Sequence, residues 1–221
     1  MAANGWSIAL HYSTRQEEAA EVAKELGDQA AGIYRADLGD PAAATHLWSQ
    51  ALDDGGLHAL VNNAGIYHPK SFLETTPAEI QHTFQVNWQS PLALTQLAAS
   101  TFAESGGGKI LNVASRAGYR GEPGAAIYAA SKAALINLTR SLAVELARYR
   151  VGVYGIAPGW VDTSMAREGM QDRWPEIQQT LPLGRMASPQ DCAAVAAFLL
   201  SAEGDYMVGQ VVDINGASYF H

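Results

Sequence analysis

The chain has 221 residues, 48% of them hydrophobic and 16% charged. That balance fits one folded domain with a full core and excludes a disordered chain. The formal net charge of −8 argues against nucleic acid as a main partner, because such proteins carry basic patches that replace counterions. It also leaves any anionic cofactor dependent on a local basic pocket. No apolar run reaches the length of a membrane span, and Met1–Trp6 lacks the basic and apolar regions of a signal peptide, so no membrane partner is expected. The single cysteine, Cys192, permits no internal disulfide and points to a reducing, cytoplasmic location. It lies in the apolar stretch Cys192–Leu200, where a packed side chain is expected rather than a nucleophile. No metal site is expected.

Strands and helices alternate along the chain. Trp6–Tyr12 reads as a strand, Arg15–Leu26 as a helix and Ile33–Ala36 as a short strand. Asp40-Pro41 opens a helix with proline at its first position, and Leu57–Asn62 is a buried strand. Thr76-Pro77-Ala78-Glu79 is a capping box that starts a long helix. Ile110–Ala114 is a strand, Ala125–Tyr149 a long helix and Val151–Ala157 a strand. Ser188-Pro189 begins another helix, and Gln210–Ile214 is the last strand.

This alternation predicts an α/β fold: a doubly wound, mostly parallel sheet with helices on both faces. Ligands of such sheets sit at the carboxyl ends of the strands. Asn63-Ala64-Gly65, Ser115 and Pro158-Gly159 each follow a strand, so they share that edge. Gly106-Gly107-Gly108 precedes a strand and reads as a plain loop on the opposite edge.

Tyr128 and Lys132 are four apart in a helical segment and therefore share a face, about 5–6 Å apart. An ammonium nearby favours the phenolate of a tyrosine, which makes the pair a usable proton donor and acceptor. Chance alone would supply about 0.2 such pairs in a chain of this composition, so the pair needs context. Ser115, thirteen residues earlier at the ligand edge, can hold a substrate oxygen while Tyr128 moves the proton; a turn or cap serine is the bland alternative. Asn87 lies four residues before Pro91. Proline has no N–H, so the Asn87 carbonyl loses its helical donor and the helix should kink there. Either this is a packing kink, or the free carbonyl anchors a water beside Lys132.

Val61-Asn-Asn-Ala-Gly65, Asn87, Ser115, Tyr128-Ala-Ala-Ser-Lys132, Pro158-Gly-Trp-Val-Asp-Thr163, Leu183-Gly-Arg-Met186 and Val212-Asp-Ile-Asn-Gly216 occur in family order and spacing. On these motifs the whole chain resembles the short-chain dehydrogenase/reductase family, 3-oxoacyl reductases included. The resemblance implies a single Rossmann-like domain and hydride transfer between a nicotinamide ring and a carbonyl or its alcohol. It implies Tyr128 as acid/base and Lys132 as the group that lowers its pKa and holds the nicotinamide ribose. Ser115 would orient the carbonyl and Asn87 would anchor the relay water. Asn63, Ala64 and Gly65 would line the cofactor groove, with Asp37 and Leu38 at the adenine. Val161 and Thr163, after Pro158 and Gly159, would meet the carboxamide.

One departure is plain. Family members begin with a strand and a Thr-Gly-x-x-x-Gly-x-Gly turn that cradles the pyrophosphate, and nothing of the kind precedes Trp6. The sequence reads as starting one strand and one helix late. It predicts a sheet without a normally paired strand between the Ile8 and Leu60 strands, and weak cofactor binding. Either residues precede Met1 or this edge of the sheet is rebuilt. Ser13, Thr14 and Arg15 stand where NAD-preferring members carry an acidic residue, which favours NADP(H) over NAD(H). The alternative is an exposed helix start with Ser13 or Thr14 as its cap. Residues 164–186 read as the variable substrate loop. Its Met165, Met170, Trp174, Leu181 and Leu183, with Tyr119 and Arg120, suit a substrate with apolar parts such as a 3-oxoacyl thioester, or simply pack the loop down. A rival to the enzyme is a catalytically silent assembly subunit. Leu135, Leu138, Leu142 and Leu146 on one side of the long helix, with Ile136, Ala143 and Ala147 on another, predict a homo-oligomer, dimer or tetramer.

Overall fold

The computed structural model describes residues 1–53, 55–170 and 173–221. Among the described residues six strands, all paired in parallel, fall into two groups. The first holds β1 (Ile8–Tyr12) and β2 (Ala30–Arg35). The second, in spatial order, holds β3 (Ala59–Asn62), β4 (Gly108–Val113), β5 (Val151–Pro158) and β6 (Val211–Ile214). β1 and β3 do not pair, as the missing glycine-rich segment predicted.

Side chains alternate between the two faces with the period of two that a strand imposes. Ile110, Val151 and Val153 enter one core with Leu94, Ala98 and Phe102 of α4 (Ser90–Glu104), Ala143 and Leu146 of α5 (Ala126–Leu146), and Leu47 and Trp48 of α2 (Ala43–Asp53). This core also contains Tyr34, Ala36 and Leu38, so α2 and α4 bridge the two strand groups. Leu111, Tyr154 and Ile156 point the other way, against Leu199 and Leu200 at the end of α8 (Pro189–Leu199). On this second face α1 (Gln16–Leu26) lies against the β1–β2 pair and has no fully buried residue. Ile33 and Val61 are each 41% exposed, so an apolar strip of sheet lies uncovered there.

Most elements match their sequence signals. Thr76 and Glu79 form a reciprocal capping box at the start of α3 (Pro77–Phe84), and Ser188 with Asp191 forms another ahead of α8. Three expectations change. Asp40-Pro41 does not begin α2: the Asp40 carboxylate accepts from Ala42 N at 2.9 Å, closing a turn, and the helix starts at Ala43. Neither Ser13 nor Thr14 caps α1; Arg15 occupies the cap position without a side-chain bond. The two apolar stripes of α5 resolve into one buried face of Leu135, Ile136, Thr139, Ala143 and Leu146, with Leu138 and Leu142 half-buried beside it and Ala147 exposed. The triple glycine is a plain loop: Gly107 and Gly108 donate to the carbonyls of Phe102 and Arg150, which leaves neither N–H for an anion.

A chain of buried polar side chains runs across the fold just beneath the ligand edge. Asn62 Nδ2 donates to Thr95 Oγ1 and to Asn112 Oδ1, both at 2.9 Å. Asn112 Nδ2 donates to Thr139 Oγ1 at 3.0 Å, and Thr139 Oγ1 donates to the Leu135 carbonyl at 2.8 Å. The chain links α4, β3, β4 and α5 at a fixed register. Buried polar groups are expensive when left unpaired. Asn112→Ala strips partners from Asn62 and Thr139 together, and should lower stability by about 3 kcal/mol. Urea denaturation measures this, and a loss below about 1 kcal/mol would show that the chain does not hold the sheet.

Candidate active site

The three strand ends converge as expected. Asn63–Ile66 follows β3, Ser115 follows β4, and Pro158-Gly159 ends β5. Asn87 reaches them from the helix pair α3–α4. Residues Gln85–Gln89 form a π-helical turn there, with Ser90 N donating to the Gln85 carbonyl. Pro91 offers no N–H, so the helix must leave α geometry at this point. The wide turn sets the fully buried Asn87 side chain against the loop after β3. Its Oδ1 accepts from Ile66 N at 2.8 Å, and its Nδ2 donates to the Ile66 carbonyl at 2.9 Å and to Ser131 Oγ at 3.3 Å. Ser131 Oγ in turn donates to the Tyr128 carbonyl at 2.6 Å. The sequence pointed to the Asn87 backbone carbonyl; the clamp made by its side chain, and the part played by Ser131, carried no sequence signal.

Tyr128 and Lys132 lie on the inner side of α5. The Lys132 ammonium donates to the Val113 carbonyl at 2.8 Å, and burial lowers its pKa to about 8. A Cβ on Gly65 would sit 3.3 Å from Asn87 Oδ1 and 3.4 Å from Lys132 Nζ, so these three residues meet at one point. Lys132 Nζ lies 5.7 Å from the centre of the Tyr128 ring. The Tyr128 hydroxyl is raised above its ordinary pKa, first by burial; a hydrogen bond with Ser115 pulls it down and Tyr67 pushes it up. The expected lowering by Lys132 is not among the influences on Tyr128; burial dominates, as both groups lose hydration in the same place. Ser115 also fills the bland role considered for it, because its Oγ accepts from Ala117 N at 3.1 Å and caps a short turn.

Other expected cofactor residues are more dispersed. Asn63 turns the chain after β3, its N–H donating to the Val61 carbonyl, and Ala64 packs against the core. Gly159 N donates to the Ile214 carbonyl, and a Cβ at Gly159 would lie 3.1 Å from Asn215. Val161 bridges Ala187, and Thr163 Oγ1 accepts from Ala166 N at 3.2 Å, anchoring α6 (Ser164–Met170). Ser13, Thr14, Arg15, Asp37 and Leu38 belong to the separate β1–β2 pair. Asp37 is exposed and accepts from Gly39 N at 2.9 Å. Leu38 is buried in the core, and its carbonyl accepts from Ser90 Oγ at 2.8 Å. Arg15 is exposed; it donates to Ser164 Oγ at 2.9 Å and pairs with Glu18 at 3.3 Å and Glu168 at 3.9 Å.

The expected substrate loop divides into α6 and α7 (Trp174–Gln179), with residues 171 and 172 outside the described residues. Met170, Ile177 and Leu181 form their own small core with Trp160, Trp174 and Met186, which favours packing for most of its apolar residues. Tyr119 also turns away: its ring stacks on His221 at 3.9 Å. Arg116, next to Ser115, is buried and pairs with Glu122 at 3.3 Å and Ser218 Oγ at 2.7 Å, tying the C-terminal tail to the serine loop. A small cavity of about 90 Å³ borders Tyr128 on the side of His68, Lys70 and His82. Burial and Asp191 raise the Cys192 thiol, in keeping with a packing residue. Among the described residues no cluster suits a metal, and no helix is long and apolar enough to cross a membrane.

The buried Lys132 gives the protein a defined pH response. Its pKa falls from 10.5 to about 8 on folding, so between these values the unfolded chain holds a proton that the folded chain has released. Stability contributed here rises with pH. Relative to Lys132→Met, the wild type should gain about 2 kcal/mol between about pH 7.5 and 10. Urea titrations of both proteins at each pH measure this; a constant difference would mean that the ammonium stays hydrated.

A family model described as enoyl-(acyl carrier protein) reductase matches residues 1–217. An uncharacterized oxidoreductase of Bacillus subtilis is 34% identical, covering 98% of this chain and 90% of its own length. A 3alpha-hydroxysteroid dehydrogenase of Mediterraneibacter gnavus is 36% identical, covering 97% of this chain and 88% of its own. The crystal structure of 3-ketoacyl-(acyl-carrier-protein) reductase from Brucella melitensis complexed with NADH superposes with a TM-score of 0.91 at 30% identity, over 99% of this chain and 90% of that one. With a family model matching nearly its whole length and relatives of this kind, this chain belongs to the short-chain dehydrogenase/reductase family of oxidoreductases.

Proposed function

We propose that the chain interconverts a carbonyl and a secondary alcohol with a nicotinamide dinucleotide, using Ser115, Tyr128, Lys132 and Asn87. The observation that carries this reading is the meeting of the Ser115 and Tyr128 hydroxyls beside the buried Lys132, at the carboxyl ends of β3, β4 and β5. The residues at this end fit the nicotinamide ribose: Gly65 keeps the approach to Lys132 and Asn87 open. The dinucleotide, when bound, supplies or accepts the hydride at the carbonyl carbon. Tyr128 gives its proton to the substrate oxygen in reduction and takes it back in oxidation. Ser115 donates a hydrogen bond to the same oxygen. A raised tyrosine pKa keeps the proton on Tyr128 until it is needed. Lys132 would hold the ribose and draw its proton from solvent through a water anchored at the Asn87 backbone carbonyl. Val161 and Thr163 would hold the carboxamide.

Arg15, Ser13 and Thr14 support a preference for NADP(H), with Arg15 leaving Glu18 to meet a 2′-phosphate. Asp37 and the Leu38 backbone would bind the adenine. The unpaired edges of β1 and β3, and the lack of a glycine-rich turn within these residues, favour a second reading in which the same fold serves as a catalytically silent assembly subunit. Exposed apolar side chains, Val144 at 84% and Leu73 at 93%, support a homo-oligomer. The single half-exposed cysteine suits a cytoplasmic protein. A 3-oxoacyl thioester is the substrate class we favour.

Tyr128→Phe should lower carbonyl reduction by about 10²-fold or more and leave the fold intact. Turnover of NADPH with an acetoacetyl thioester checks this, and near-normal turnover would remove Tyr128 from the mechanism. Inactivity of the wild type with both nicotinamide cofactors would favour the silent subunit. Arg15→Ala should weaken NADPH at least tenfold more than NADH, about the effect of one charge-assisted contact. Calorimetric titration of both cofactors decides it; equal losses would show that Arg15 does not read the 2′-phosphate.

A further inference from the structure

We infer that Tyr67 determines substrate specificity by donating a hydrogen bond to a second oxygen of the substrate, close to the reacting carbonyl. The inference rests on the reading of Tyr128 as acid/base and adds the substrate feature that the site selects. Tyr67 directly follows Ile66, whose N–H and carbonyl are both held by the buried Asn87 amide. The position of its backbone is thus as fixed as the catalytic loop itself. Its ring stands edge-on to the Tyr128 ring, with centroids 4.9 Å apart and planes at 63°. It also meets Trp160, at 6.3 Å.

The far side of the Tyr67 ring is covered by α6. A Cβ added at Gly169 would come within 2.6 Å of Tyr67 Cδ1, so the helix settles on the ring only because residue 169 has no side chain. Tyr67 is therefore walled on three sides by Tyr128, Trp160 and Gly169. The side chain is partly buried, and its hydroxyl makes no hydrogen bond to any described residue. The surroundings are polar: burial raises its pKa first, Glu122 raises it further and Arg173 lowers it. The phenol thus stays protonated at neutral pH and presents a donor beside the acid/base.

A preorganised donor with no protein partner favours a ligand that brings an acceptor. The chemical class is a carbonyl compound with another oxygen within a few bonds, such as a 3-oxo ester or thioester. A plain hydrocarbon ketone leaves the phenol unpaired. The ring itself contributes the same wall to both.

The test compares ethyl 3-oxobutanoate with 2-hexanone, using NADPH and the wild type, Tyr67→Phe and Gly169→Ala. Tyr67→Phe keeps the ring and the fold. It should raise KM for the oxo ester about tenfold, as loss of one hydrogen bond predicts, and change the ketone by less than twofold. Gly169→Ala displaces α6 and should depress both substrates together. Equal effects of Tyr67→Phe on the two substrates, or none on either, would overturn the inference while leaving the role of Tyr128 intact. A wild type that reduces neither substrate, and binds neither by calorimetry, would overturn both.

Discussion

The site depends on one buried amide. Asn87 has no exposure to solvent, and its two polar atoms are matched to the two polar groups of Ile66. A buried amide left half-satisfied would be costly, so the loop after β3 has little choice of position. That constraint fixes Gly65 against Lys132 on one side and Tyr67 against Tyr128 on the other. It arises because Pro91 removes a helical N–H and the turn before it widens to π geometry. A local backbone irregularity thereby sets the spacing of groups from three separate elements.

Burial acts on the two titratable groups of the site in opposite directions. It lowers Lys132 to about 8 and raises Tyr128, since each charged form loses water on folding. The two pKa values move apart, so the lysine releases its proton more readily while the tyrosine holds its own more tightly than the free side chains do. Ser115 contributes the one favourable hydrogen bond that opposes the rise at Tyr128. The loop carrying Ser115 is braced in turn by the buried Arg116, which joins Glu122 to Ser218 of the tail. The C-terminal segment thus supports the site without entering it.

The two strand groups divide the labour proposed for the groove. The residues proposed for catalysis stand just after β4 and on the helices against β3 and β4, which the asparagine–threonine chain holds in register. Residues proposed for the adenosine end stand on β1 and β2, joined to the rest through the core around α2 and α4. The uncovered strip at Ile33 and Val61 lies between them on the opposite face. Arg15 crosses this division, reaching from the end of β1 to Ser164 at the start of α6. This exposed contact adds to the buried connection through α2 and α4.

The sequence by itself determined the order of strands and helices, the capping boxes and the break at Pro91, and it supplied the Ser115, Tyr128, Lys132 and Asn87 set proposed for the chemistry. These are local signals: hydrophobic period, cap chemistry, a missing N–H and motif spacing all act within a few residues. The unpaired edges of β1 and β3 were legible too, because a glycine-rich turn is conspicuous when missing. Only the tertiary structure decided which atoms of Asn87 clamp the loop after β3, that burial dominates at Tyr128, which residues of α5 are buried within the chain, and that Tyr67 stands beside Tyr128. Each of these depends on contacts between segments far apart in the chain. Desolvation and side-chain direction are properties of the packed whole, and no spacing along the sequence encodes them.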